Sequence, residues 1–272
     1  MTTAAAKRTV LVLHGYSQNA SIFSKRLGAL RKQCGKQVDF VFVDGPITLQ
    51  PADLFGSAPQ TESIAAITLD ALGASEASDT NVSRAWWTWN QNKTEAVGLL
   101  DSLILIRDIL KTRTFDGVLG FSQGAAMAAV LAALLEKPHL HPPFLVDGIP
   151  PHPPFKFCVS VSGFKVTDPL AGLIFGAGYS TPTLHIIGKT DVIVAEERSD
   201  KLVQVSTNAR VEEHGGGHFV PSKGNWRKFL AAYLQDPTGN IPSPSLAASS
   251  AENSGAATPV EPEMSETPVQ KL

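Results

Sequence analysis

Residues Asp116–Glu136 read DGVLGFSQGAAMAAVLAALLE, and the fold can be worked out from this stretch outward. DGVL is a short apolar run of the kind buried on both faces of a sheet. AAMAAVLAALLE reads as a helix, and its alanines suit close packing on that sheet. Between them lies Gly120-Phe121-Ser122-Gln123-Gly124, a G-x-S-x-G pattern. In a sharp strand–turn–helix elbow a serine takes a strained backbone conformation that lifts its Oγ above the sheet. The residues two before and two after it must then be small, which accounts for Gly120 and Gly124. The helix N-terminus adds unpaired N–H groups and a positive dipole end at the same place.

The same alternation extends along the chain. Short apolar runs occur at Thr9–Leu13, Val38–Val43, Gly117–Phe121, Phe157–Val161 and Thr183–Ile187, with a weaker sixth at Ala209–Glu213. Helix-period segments lie between them at Ile22–Cys34, Thr94–Lys111, Gln123–Glu136, Glu196–Val205 and Asn225–Leu234. Alternating β and α elements with strands apolar on both faces predict a doubly wound, mostly parallel α/β sheet in one domain spanning residues 9–235, after a short segment 1–8. Ligands of such sheets bind beyond the carboxyl ends of the strands.

A serine hydroxyl is a weak nucleophile without a base. His218 lies in EHGGGHFVP, a glycine-rich turn after the last strand, where the glycines let the loop fold back over the elbow. His214 is the rival, and His185 lies within an apolar strand as a core residue. Asp191 follows strand Thr183–Ile187 and is the expected orienting carboxylate. Asp44 precedes the serine in sequence, and Asp168, before a proline, is the better alternative. Ser122, Asp191 and His218 then stand in the Ser…Asp…His order of α/β-hydrolases. An oxyanion hole needs two backbone N–H groups. Gln123, next to the serine, supplies one, and Tyr16 in the LHGYSQ loop after the first strand supplies the other. His14 is expected to brace that loop.

The composition narrows the alternatives. The chain has 272 residues, 43% apolar and 18% charged, with a net charge of −2. Lys and Arg are scattered, so no nucleic-acid footprint is expected. Two cysteines, Cys34 and Cys158, form neither a disulfide framework nor a metal motif and read as free thiols. No apolar run reaches the ~18 residues of a membrane span and no secretory signal is visible, so the expected location is cytoplasmic. Residues 48–84 form a long polar excursion, either a lid or a surface loop. Residues 137–154 hold seven prolines and His139, His141 and His152. They read as an extended surface loop, and without regular ligand spacing they give no metal site. From about Asp236 the chain is rich in Pro, Ser, Ala and Glu, and disorder is expected to the end at residue 272.

Together VLVLHGYSQNASIF, FVFVDGP, SRAWWTW, GLLDSLILIRDILKTRTFDGVLGFSQGAAMAAVLA and EEHGGGHFVP resemble the FSH family of serine hydrolases, over Thr9 to about Leu234. That is a mainly fungal branch of the α/β-hydrolase fold, related to small carboxylesterases. The resemblance implies a cytosolic enzyme that cleaves small-molecule esters or thioesters through Ser122, Asp191 and His218, with no cofactor and no metal. Some relatives are encoded with fungal polyketide synthases and release or trim a carrier-bound thioester, which adds an acyl carrier as a partner. Trp86 and Trp87 match a family hallmark and read as a core aromatic pair. The proline-rich segment and the tail depart from the family pattern. Two competing readings are a carrier-bound acyl thioesterase and, from another class, a non-catalytic α/β-hydrolase scaffold. Reaction with a fluorophosphonate separates the scaffold from the enzymes.

Overall fold

The computed structural model describes residues 7–50 and 82–244. Six strands form one parallel sheet: β1 (Arg8–Leu13), β2 (Val38–Val43), β7 (Gly117–Phe121), β8 (Phe157–Val161), β9 (Thr183–Gly188) and β10 (Ala209–His214), in the order β10-β9-β8-β7-β1-β2. Each expected apolar run is therefore a strand, extended by at most one residue at either end. Two small antiparallel pairs lie outside the sheet: β3 (Ile47–Thr48) with β4 (Arg84–Ala85), and β5 (Thr88–Trp89) with β6 (Ala96–Val97).

Strand alternation divides the core into two layers. Leu11, Leu13 and Val118 face α3 (Leu99–Leu110), α4 (Gln123–Glu136) and α5 (Pro169–Phe175), with Leu202 of α6 (Glu196–Val203) beside them. Val10, Val12, Leu119 and Phe121 face α1 (Ala20–Arg26), α2 (Gly28–Cys34) and α7 (Gly224–Gln235). Apolar side chains on both faces are what a sheet covered by helices on both sides requires. This is the doubly wound α/β-hydrolase architecture in a single domain. Residues Gln123 to Leu135 of α4 are all buried, so its alanines let the helix axis approach the sheet closely.

The chain runs from β1 outward to β2, then returns past β1 to β7 and continues the other way. The carboxyl ends of β1 and β7 therefore lie at the topological switch point, the place where sheets of this kind bind their ligands. The loop after β1 carries Tyr16, and the turn after β7 carries Ser122.

Several local expectations are corrected. The segment Ile22–Cys34 is two helices, because Leu27 (φ −83°, ψ 6°) turns out of helical geometry before Gly28. The segment Thr94–Lys111 begins its helix only at Leu99, after Gly98 at φ 88°, because residues 96–97 pair with 88–89 instead. The helix Pro169–Phe175 was not anticipated, although it has a clear start: Asp168 Oδ1 accepts from Leu170 N–H at 2.8 Å and a proline occupies its first turn. The proline-rich segment is not extended. It makes 3₁₀ turns at Pro138–Leu140 and Pro142–Phe144, and Phe144 is fully buried. Phe115 N–H donates to Nε2 of buried His152 at 2.8 Å, which fastens the segment to the domain.

Contacts do not cease at Asp236. Arg210 Nη2 donates to Ile241 O at 2.8 Å, Asn225 Nδ2 to Pro244 O at 2.9 Å, and Ser243 Oγ to Glu212 at 2.5 Å. Composition marks this stretch as tail, but a few backbone carbonyls and one apolar residue, Ile241, are enough to hold it against β10 and α7. The tail beyond residue 244 and the stretch 51–81 of the polar excursion lie outside the described residues. Among the described residues no helix is long and apolar enough to cross a membrane, and no three His, Cys, Asp or Glu side chains gather into a metal-binding group.

Candidate active site

Ser122 stands between β7 and α4 at φ 54°, ψ −117°. A non-glycine residue in this region costs of order 1–3 kcal/mol and persists only where its surroundings hold it. Here Ser122 N–H donates to Val161 O of β8 at 2.9 Å, and Ser122 O accepts from the N–H groups of Ala125 and Ala126 at 3.0 Å. The flanking glycines are sterically required. A Cβ on Gly120 would lie 2.1 Å from Gly124 O, and one on Gly124 would lie 2.3 Å from Leu13 O. The turn is thus pressed between the following helix and the end of β1.

His218 Nε2 lies 2.9 Å from Ser122 Oγ, and His218 Nδ1 lies 2.7 Å from Asp191 Oδ2. With the ring proton on Nδ1, the carboxylate accepts it, and Nε2 is left to accept from the serine hydroxyl. Phe121 packs beside the imidazole with ring centroids 4.8 Å apart, which limits ring rotation. The other oxygen, Asp191 Oδ1, accepts from Ile193 N–H and Val194 N–H, each at 2.9 Å. Burial pushes the Asp191 carboxyl upward. Its hydrogen bond and charge interaction with His218 and the two backbone N–H groups outweigh that and hold it below the usual carboxylate range.

The glycine run before His218 serves a particular contact. Lys189 N–H donates to His214 O at 2.9 Å and Thr190 N–H to Gly216 O at 3.2 Å. A Cβ on Gly188 would lie 2.4 Å from Gly217 O. The Asp191 loop and the His218 loop are therefore laced together by backbone, which fixes the spacing of the two side chains. His214 faces elsewhere: it lies against Trp226 and Phe219, and its Nδ1 accepts from Gly216 N–H at 3.2 Å. His185 is buried within β9, and burial pulls its pKa down to about 4.

The rival acids have other partners. Asp168 caps α5, and its second oxygen accepts from Ala96 N–H at 3.0 Å. Asp44 accepts from Ala20 N–H at 2.6 Å.

The loop after β1 passes directly beside the serine. A Cβ on Gly15 would lie 3.0 Å from Phe121 Cδ1 and 3.4 Å from Ser122 Cβ, so a larger residue here would press on the Phe121 ring and the serine. Gly45 N–H donates to His14 Nε2 at 2.9 Å, and His14 Nδ1–H donates to Gly15 O at 2.8 Å. Burial holds this ring neutral, with a pKa of about 4, against the opposing pull of the Gly15 bond and Asp44. His14 is a brace for the loop. Gln123, as the first residue of α4, has no intrahelical acceptor for its N–H.

Sequence reasoning missed the role of the Gln123 side chain. Its Oε1 accepts from Trp86 N–H at 2.8 Å, and its Nε2 donates to Trp87 O at 2.8 Å. Trp86 and Trp87 are fully buried, as a core pair would be, but they also touch the elbow. The adjacency of tryptophans in SRAWWTW was the only signal, and it named no partner.

The chain matches the family described as Serine hydrolase (FSH1) over residues 1–230. It is 33% identical over 227 residues to a Schizosaccharomyces pombe protein named dihydrofolate reductase, covering 83% of this chain but 46% of that one. It is 32% identical over 242 residues to esterase OVCA2 of Danio rerio, covering 83% of this chain and 96% of that one. The chain thus spans about half the length of some curated relatives and nearly all of others. Among solved structures, Zea mays acyl-protein thioesterase 2 shares the fold, with a TM-score of 0.53 at 22% identity over 86% of this chain and 96% of that one. A strained serine elbow at the switch point of a doubly wound sheet, and a match running through it from end to end of the sheet, lead to one assignment: the chain belongs to the serine hydrolase (FSH1) family.

Proposed function

We propose that the protein is an esterase or thioesterase acting through an acyl-enzyme on Ser122. The observation that carries this reading is the unbroken path from Asp191 through His218 to Ser122 Oγ, with contacts of 2.7 and 2.9 Å. Ser122 Oγ attacks the carbonyl carbon of a small ester or thioester while His218 Nε2 takes its proton. Asp191 stabilises the imidazolium that forms. The N–H groups of Gln123 and Tyr16 receive the developing oxyanion. The imidazolium then protonates the leaving alkoxide or thiolate, and water, activated by the same histidine, releases the acid. Every step uses side chains and backbone of this chain.

A thioester on a polyketide synthase carrier, within fungal secondary metabolism, is the narrower form of the proposal and rests on the family resemblance alone. The two cysteines are free and buried, which fits a reducing, cytoplasmic setting. The test is labelling of the full-length protein by a fluorophosphonate, with the adduct mapped to Ser122, followed by p-nitrophenyl esters assayed beside acyl-thioesters. Labelling at another residue, or none under conditions that label a control esterase, sinks the reading in favour of a binding scaffold.

A further inference from the structure

The two N–H groups assigned to the oxyanion belong to different elements. Gln123 opens α4, whereas Tyr16 lies in the loop after β1. Such a hole works only when its donors keep their spacing to a fraction of an ångström. Something must tie the helix end to the loop.

The strap Arg84–Trp87 touches both. On the helix side, the main chain of Trp86 and Trp87 clasps the Gln123 carboxamide through its N–H and its C=O, each at 2.8 Å. On the loop side, Trp86 Nε1–H donates to His14 O at 2.8 Å, two residues before Tyr16. Arg84 N–H donates to Gln18 O at 2.9 Å, two residues after it. Trp86 O in turn accepts from Ser102 Oγ of α3 at 2.5 Å, which anchors the strap to the core. The rings of His14 and Trp86 lie 5.2 Å apart, so the brace of the loop packs on the strap. Apart from half-buried Arg84, these residues are buried, where an unmade hydrogen bond is costly and each bond present resists displacement.

We infer that Trp86 is a positioning residue that sets the distance between the two oxyanion donors, with the Gln123 side chain as its counterpart on the helix. This rests on the acyl-transfer reading of Ser122. A residue that merely fills the core would affect turnover only in proportion to the loss of folded protein. A positioning residue acts on the tetrahedral state while leaving ground-state binding in place.

The test uses the full-length enzyme, p-nitrophenyl acetate as substrate and an alkyl trifluoromethyl ketone, whose hemiketal with Ser122 places an oxyanion in the hole. Trp86→Phe keeps the aromatic bulk and removes the indole N–H. It is expected to lower kcat by about 10–100-fold, less than outright loss of a donor, with KM within about threefold. The ketone's Ki is expected to rise by the same factor as kcat/KM falls. Gln123→Met removes both carboxamide bonds while keeping the backbone N–H, and the same paired loss is expected. It carries the test if Trp86→Phe does not fold. Wild-type kcat and Ki in a folded variant overturn the inference. So does a fall in kcat that tracks thermal stability without a matching change in Ki. If the wild-type protein neither binds the ketone nor takes a fluorophosphonate at Ser122, the hydrolase reading itself has failed, and this inference with it.

Discussion

Asp191 shares its two oxygens between different tasks: Oδ2 meets His218 Nδ1 at 2.7 Å, while Oδ1 is tied to the backbone N–H groups of its own turn. The carboxylate side chain is only 2% exposed, so solvent cannot take over its charge interaction with the imidazole. Asp191→Asn keeps the shape, removes the charge and favours the wrong imidazole tautomer. It is expected to lower kcat by about 10²–10⁴ with a smaller effect on KM. Asp168→Asn is expected to leave kcat nearly unchanged and to cost about 1–2 kcal/mol of stability, because its single acceptor oxygen cannot serve both the cap of α5 and Ala96 N–H. Steady-state kinetics on both variants checks the assignment, and a crippled Asp168→Asn beside an active Asp191→Asn reverses it.

Ser122→Ala is expected to abolish fluorophosphonate labelling and to reduce kcat/KM by roughly 10³–10⁶, with the far-UV spectrum unchanged. Ser122→Gly goes further. The serine holds φ 54°, ψ −117°, which glycine adopts without a Cβ penalty. That variant is expected to be inactive yet more stable than the native protein by about 1 kcal/mol in urea unfolding. Equal or lower stability argues that the elbow stores no strain.

Gly124→Ala tests the packing of the elbow. The added methyl meets backbone oxygens of Leu13 and His14 at 2.3 and 2.4 Å, and neither can move without shifting β1. A loss of about 1–3 kcal/mol in unfolding free energy is expected, together with a loss of esterase activity. A variant with native stability means that the helix end has room the geometry does not show.

Stability is expected to fall as the pH drops from about 6.5 to about 4. His14 and His185 are buried neutral with their pKa values pulled from 6.5 to about 4. In the unfolded chain they titrate near 6.5, so within that window the unfolded state binds the extra protons and gains. Each contributes at most about 1.4 kcal/mol per pH unit, fully lost below about 4. Asp191 and Asp116 are depressed below 3.8, so their contribution is present above that value and goes only at lower pH. Urea midpoints from pH 7 to pH 3 follow this directly. His185→Gln is expected to flatten the upper part of the curve.

A chain ending at Gln235 loses the carbonyl partner of Arg210, the hydroxyl on buried Glu212 and the carbonyl held by Asn225. It is expected to melt roughly 3–6 °C lower, corresponding to about 1–2 kcal/mol. A chain ending at Pro244 keeps these bonds, and its Tm and activity are expected to match the full-length protein. Thermal melts of the two truncations, run side by side, decide where the domain ends.

The sequence by itself determined the sheet. The inner strands β1, β7, β8 and β9 were legible because burial on both faces leaves a continuous apolar signature, whereas the edge strand β10, ARVEEH, is half exposed and carries only the weaker run. The elbow was equally legible from its G-x-S-x-G pattern, although only Gly120 is demanded by backbone nearby in sequence, at Gly124 and Ala125, whereas Gly124 is demanded by the distant end of β1 at Leu13 and His14. Ser122, Asp191 and His218 could be picked out by chain order, but which of Asp191 and Asp168 meets the imidazole was decided by the lacing of the loops after β9 and β10. Only the tertiary structure joined Trp86 to His14 and Gln123, because those hydrogen bonds cross 72 and 37 residues of chain. The same holds for the proline-rich segment and for residues 236–244. Their composition announces loop and tail, and a handful of long-range contacts from Phe115, Arg210 and Asn225 hold them to the domain. Local patterns reflect what a residue needs from its neighbours in sequence. The partner of a buried polar group is chosen by packing between distant elements, which leaves no periodic trace.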